Sequence, residues 1–286
     1  MKRLLTSFSS NHPLICSFIL CLLFFILLGI FFIPAEMLFG KNLENYDYTG
    51  YLAVSVAGQL LLSILLIIVI RWTGLSKSEI YGRQGFARGL LIGWYGLLFA
   101  MLSFGSNLIG LPAEYLTWPQ MLPLSVVILS AFFTGFFEET LVRGLVLGIL
   151  NRRFGDNKGG IVISAIVSSL LFGAAHLLNI LTGSAVIETL VQVVYATMIG
   201  VFFAALYLRT NNLWVLIFLH ALIDLASFLF LVIVTPEGMK AISEQAIGFD
   251  AGLSSLVTLL VALPFLLIGL VLLRKVQPRA ALPQET

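Results

Sequence analysis

The sequence predicts an all-α polytopic membrane protein, a bundle of about eight transmembrane helices, on three observations. Fifty-nine per cent of its 286 residues are hydrophobic and only 10% are charged, where soluble domains carry roughly a quarter charged. The mean hydropathy is +1.05. The apolar residues also gather into runs close to the roughly 20 residues that cross a bilayer. In hydrocarbon each backbone N–H and C=O must find its partner within the segment, so such runs are read as helices.

The first run, Leu14 to Ile33, follows Lys2 and Arg3 as the core of a signal peptide would. It is longer than the roughly 7–15 residues of such a core, and Pro34-Ala35-Glu36 is not a small-x-small cleavage site. It is read as a retained span. Cys16 and Cys21, five apart inside it, lack CxxC spacing and are read as packing residues. Further runs follow at about 52–70, 89–108, 122–150, 160–178, 185–208, 213–234 and 253–273.

Charge orients these spans, because short cytoplasmic loops collect Lys and Arg. With both termini cytoplasmic, thirteen of the sixteen basic residues fall inside, Lys41 and Lys240 fall outside, and Arg143 lies within a span. The outer loops are then 34–51, 109–121 and 235–252, and they hold seven of the fourteen acids. The segment from Leu75 to Arg88 fits either an interfacial stretch or an ordinary basic loop. No internal repeat, phosphate-binding glycine loop or basic nucleic-acid patch is present, so nucleic acid is not an expected partner.

Seven ionisable residues are left inside spans: Glu138, Glu139, Arg143, His176, Glu188, His220 and Asp224. A charge at a span centre costs about 2.5–3.5 kcal/mol on insertion scales, so such groups face one another or a wet cavity. Glu139 and Arg143 are i,i+4 and are expected to pair, whereas Glu138 is turned about 100° away and remains for chemistry. His220 and Asp224 share one helix face, as do Phe172 and His176. Glu188 reads as a solvated helix start, and Gln192 and Tyr195 as polar contacts between helices.

These residues stand as Glu138-Glu139-Thr140-Leu141-Val142-Arg143, Phe172-Gly173-Ala174-Ala175-His176 and His220-Ala221-Leu222-Ile223-Asp224. In that form the chain resembles the CPBP family of CAAX proteases and bacteriocin-processing enzymes, which carries E-E-x-x-x-R, F-x-x-x-H and H-x-x-x-N/D on successive helices. The Gln192–Trp214 stretch is also similar to bacterial members, and the resemblance covers roughly residues 122–235. The chain is accordingly divided into 1–121 (three spans), 122–235 (a four-helix catalytic core) and 236–286 (the last span and a cytoplasmic tail).

The resemblance implies an intramembrane endopeptidase acting on a membrane-associated or lipidated protein or peptide. Glu138, helped by His176, would activate water, and His220 with Asp224 would stabilise the oxyanion, with Glu139 and Arg143 in support. Where many members have Asn, this chain has Asp224. An ionised carboxylate cannot donate to an oxyanion, so Asp224 must be protonated, orient His220, or act otherwise.

No cofactor is expected. Zinc held by Glu138, His176, His220 and Asp224 is the alternative. Against it stand the lack of an H-E-x-x-H helix and the lack of an evident second acceptor for His176, whereas Asp224 could serve His220. The rival functions are a transporter or proton relay, whose mark would be broken helices paired across two halves, and a non-catalytic immunity protein.

Overall fold

The computed structural model describes residues 2–39, 48–76, 80–82, 85–109, 111–240 and 251–279. The loop charges Lys41, Glu44, Asp47, Lys77, Arg83, Glu244 and Asp250 lie outside the described residues. The described residues form an all-α bundle with seven helices long and apolar enough to cross a membrane, or eight if one bent pair is a single span. That count is the one the apolar runs predict, with one run taking an unexpected shape.

The chain begins with a helix that the run-counting did not separate, α1 (Lys2–Asn11), which ends just before Pro13. Proline lacks an N–H and fits the first turn of the next helix, so the break falls there. The first span, α2 (Pro13–Phe39), packs against α3 (Tyr48–Thr73), and both cysteines of α2 are buried and free. The third run is broken into α4 (Phe86–Ile92) and α5 (Trp94–Leu108), which meet at Gly93 with a bend of 68°. A Cβ on Gly93 would lie 2.8 Å from a Leu219 methyl and 3.0 Å from one of Leu206, so the residue at the bend has no room for a side chain.

The fourth span is the longest, 34 residues from Met121 to Phe154. It runs as α6 (Met121–Glu139), a π-helical stretch at Thr140–Val146 and α7 (Leu147–Phe154). Then come α8 (Lys158–Ala175), which tightens to 3-10 geometry at His176–Thr182, α9 (Val186–Thr210) and α10 (Leu213–Phe228). A short α11 (Phe230–Ile233) and the last span, α12 (Ala251–Arg274), complete the order. In the bundle α10 packs on α6, α3 on α6, and α9 on both α8 and α12.

Among the described residues, the contacts between span ends join segments that the charge pattern puts on the same side. Arg152 donates to the carbonyls of Thr73 and Gly74, Lys158 to those of Arg274 and Val276, and Arg279 pairs with Asp156 at 2.8 Å. On the opposite side Thr117 N–H donates to Ile233 O and Thr235 N–H to Tyr115 O, both at 2.8 Å. Of the segment from Leu75 to Arg88, Leu75 and Ile80 are buried and packed under Gly148 and Gly144. Tyr81 pairs with Asn212 and its hydroxyl lies 3.0 Å from Thr140 Oγ1. Leu75, Ile80 and Tyr81 are therefore packed inward, as in a loop, whereas Phe86–Arg88 begin α4 and are exposed.

Candidate active site

The adjacent glutamates end α6, and the next seven residues depart from ordinary α-helix. This π stretch from Thr140 to Val146 is wholly buried and includes Arg143, the largest fully buried side chain. π-helical turns recur at functional sites because they displace side chains from regular register. Arg143 Nη1 donates to Glu139 Oε1 at 2.8 Å, and Nη2 donates to the Gly200 carbonyl at 3.3 Å. Its guanidinium also lies over the Phe172 ring, 4.7 Å from the centroid, and 5.5 Å from that of Phe203. The pairing expected from i,i+4 spacing is present.

Glu139 does more than hold Arg143. The same Oε1 takes His220 Nδ1 at 2.8 Å, so one carboxylate oxygen joins the fourth and seventh spans. The approach of α6 to α10 that allows this passes over Gly135, one turn earlier. A Cβ there would meet Ile217 O at 3.0 Å and Ala221 N at 3.1 Å, both backbone atoms. With Nδ1–H donated to Glu139, the imidazole presents Nε2 to the other two carboxyls: Glu138 Oε2 at 3.6 Å and Asp224 Oδ2 at 3.7 Å. Orientation of His220 through Nδ1 thus belongs to Glu139, and Asp224 stands by the opposite nitrogen. Asp224 Oδ2 accepts no hydrogen bond among the described residues.

His176 sits where α8 gives way to 3-10 geometry. Its Nδ1 lies 3.0 Å from the Phe172 carbonyl, which leaves Nε2 free as an acceptor when the ring is neutral. The Phe172 side chain also bears on the site: its ring meets His176 edge-on at 5.1 Å and His220 at 6.2 Å. Spacing alone placed Phe172 and His176 on one face without showing this.

Glu138, His176, His220 and Asp224 all line one cavity of about 670 Å³. A large apolar share of its lining comes from α2, with Phe25, Leu28, Phe32 and Ile33 among the residues. The lining reaches Pro34, Tyr51, Leu181 and Phe228, which lie toward the span ends that the charge pattern puts outside. Below the glutamates, Thr140, Leu141, Val142, Arg143, Leu145, Val146 and Leu147 are 0% exposed. Tyr81, stacked on Phe136 and tilted against Trp214, lies on that side.

Two further polar groups reach the cavity from places the ionisable residues did not mark. Gln192 accepts from Asn179 at 2.8 Å, the interhelical contact expected of it, and Glu188 is exposed in the first turn of α9. Gln59, on α3, is 1% exposed and donates from Nε2 to Thr134 Oγ1 at 2.8 Å, while its Oε1 is buried with no partner among the described residues. An orphaned carbonyl costs about 1–3 kcal/mol. An amide inside an apolar run was the available signal, which attention to charged residues alone passes over.

The donor set answers the zinc alternative in two parts. The missing outer acceptor is present after all, since Phe172 O serves His176 and Glu139 serves His220. The ligand cluster is not: among the described residues no three His, Cys, Asp or Glu side chains are grouped to hold a metal ion.

Comparison with known proteins bears on the same stretch. Residues 119–226 match the family described as Type II CAAX prenyl endopeptidase Rce1-like. A 126-residue stretch, 44% of this chain, is 28% identical to the "Putative membrane peptidase YdiL" of Bacillus subtilis (strain 168), of which it covers 43%. The match thus spans less than half of that relative's length. No solved structure matches. The family resemblance carried by the three motifs holds for this segment, and it supports a membrane-embedded protease in general terms.

Proposed function

We propose that the Rce1-like segment, residues 119–226, makes this multi-pass chain an intramembrane endopeptidase of the CAAX type. The observation that carries this reading is that Glu138 and Asp224 each come within 3.7 Å of His220 Nε2 at the wall of a cavity that also holds His176. Three titratable groups brought together in a low-dielectric site are what acid–base chemistry requires and what packing alone does not.

In this reading Glu138 takes a proton from a water held also by His176 Nε2, and the hydroxide oxygen bonds to the scissile carbonyl carbon. The carbonyl oxygen becomes an oxyanion that accepts from His220 Nε2–H. That donation needs a doubly protonated imidazole, and the carboxylates of Glu139 and Asp224 flank the ring to balance its charge. Glu138 then returns the proton to the departing nitrogen as the C–N bond breaks. No metal enters the scheme. Glu139, Arg143 and Phe172 position the groups that touch the reacting atoms.

The substrate in this reading is a membrane-associated or lipidated protein or peptide. Both termini are cytoplasmic, which turns the cavity mouth toward the outer face. The test is a cleavage assay on purified Glu138→Gln protein, which keeps the side chain's size. It should elute and melt as the wild type does and lose cleavage by a factor of at least about 100. Cleavage at the wild-type rate would remove the base and the mechanism with it.

A further inference from the structure

Among the described residues that line the cavity, Gln59 carries a buried side-chain oxygen, Oε1, that has no partner and that the hydrolytic scheme leaves unused. It belongs to α3, outside the segment that matches the peptidase family. Its amide is fixed from one side only: Nε2 donates to Thr134 Oγ1, and Oε1 accepts nothing among the described residues although Gln59 lines the cavity. Thr134 stands one helical turn before Glu138 on α6. Four residues of α-helix advance about 6 Å.

We infer that Gln59 binds the substrate backbone, its Oε1 accepting a peptide N–H one or two residues from the scissile bond. An extended peptide advances about 3.3–3.6 Å per residue, so a carbonyl placed at Glu138 and His220 brings a neighbouring N–H to the level of Thr134 and Gln59. The amide is pre-set for this, because its donor end is already held and only the acceptor end is unspent. An extended chain in an apolar cavity has its own N–H groups to satisfy, and α2 contributes an apolar wall there. Gln59 is a positioning residue: it sets where the peptide lies and leaves the proton transfers to Glu138 and the histidines.

The inference rests on the endopeptidase reading, and the experiment separates the two. The probe is a quenched-fluorescence peptide selected for cleavage by the purified protein, prepared with single N-methyl groups at each of the two residues on either side of the scissile bond. With wild-type protein, methylation at one of these positions should raise KM about tenfold and leave kcat within about twofold. Gln59→Leu should raise KM for the unmethylated peptide by a similar factor, and methylation at that position should then have no further effect. A wild-type scan with no sensitive position overturns the inference even if the variant does not fold. So does a folded Gln59→Leu protein with unchanged KM, with a loss in kcat alone, or with the wild-type response to every methyl. If Glu138→Gln retains cleavage, the endopeptidase reading fails instead.

Discussion

Because Glu139 Oε1 takes both Arg143 and His220, the two partners separate under paired substitution. Glu139→Gln leaves the Arg143 guanidinium at 0% exposure facing an amide, with the Gly200 carbonyl as its other hydrogen-bond partner. Breaking a buried pair from one side costs about 3–5 kcal/mol. At about 1.4 kcal/mol per tenfold, the folded-to-unfolded ratio should fall by roughly two to four powers of ten. Adding Arg143→Met removes the stranded charge and keeps the two flanking rings in contact with an apolar chain of similar reach. Replacing both members of a buried pair is often neutral or stabilising, so the double variant should regain most of the lost stability.

Activity should not follow. In both variants His220 keeps a neutral acceptor at Nδ1 but loses the carboxylate that balances a doubly protonated ring, and a charge-assisted bond exceeds a neutral one by about 1 kcal/mol. The double variant should therefore be folded and slower than wild type by roughly a factor of five. Size-exclusion recovery after graded heating reads the first quantity, and single-turnover cleavage in detergent reads the second. A double variant with wild-type cleavage would reduce Glu139 to a partner of Arg143 alone. A Glu139→Gln single variant as heat-resistant as wild type would refute the buried-charge argument.

Three other outcomes are expected. Gly135→Val should force α6 from α10, since its Cβ would press on two backbone atoms, at about 1–3 kcal/mol of stability and with a loss of cleavage larger than the stability loss explains. Protein stripped by exhaustive chelation and checked for residual metal should still cleave its peptide; loss restored by stoichiometric zinc would overturn the metal-free scheme. A cysteine at Lys240, in a protein whose two native cysteines are buried, should be labelled by an impermeant reagent from outside, and labelling only after permeabilisation would reverse the orientation.

Much of the bundle was legible because lipid leaves the chain few choices: apolar runs become helices whatever their neighbours. The break at Gly93 was not, because the side chains that leave no room for a Cβ there, Leu206 and Leu219, come from two other helices. At the candidate site, i,i+4 spacing was enough to pair Glu139 with Arg143. It said nothing of the bond from Glu139 to His220, 81 residues away, which depends on how closely α6 meets α10. For the same reason spacing left the role of Asp224 open between orienting His220 and other tasks, since it saw only partners on one helix. Gln59 escaped because its significance lies in a missing partner, and no sequence records which bonds are left unmade.

The buried layer from Thr140 to Leu147 has a bioenergetic consequence. Carboxylates and imidazoles halfway across a membrane are stepping stones for protons, and a continuous file of water past them would short-circuit the proton gradient on which a cell's ATP synthesis depends. A cavity wet from one face and closed beneath its glutamates is a blind well: protons drawn from water there return to the side they came from. On the endopeptidase reading, such a bundle would admit water for hydrolysis without discharging the membrane that houses it.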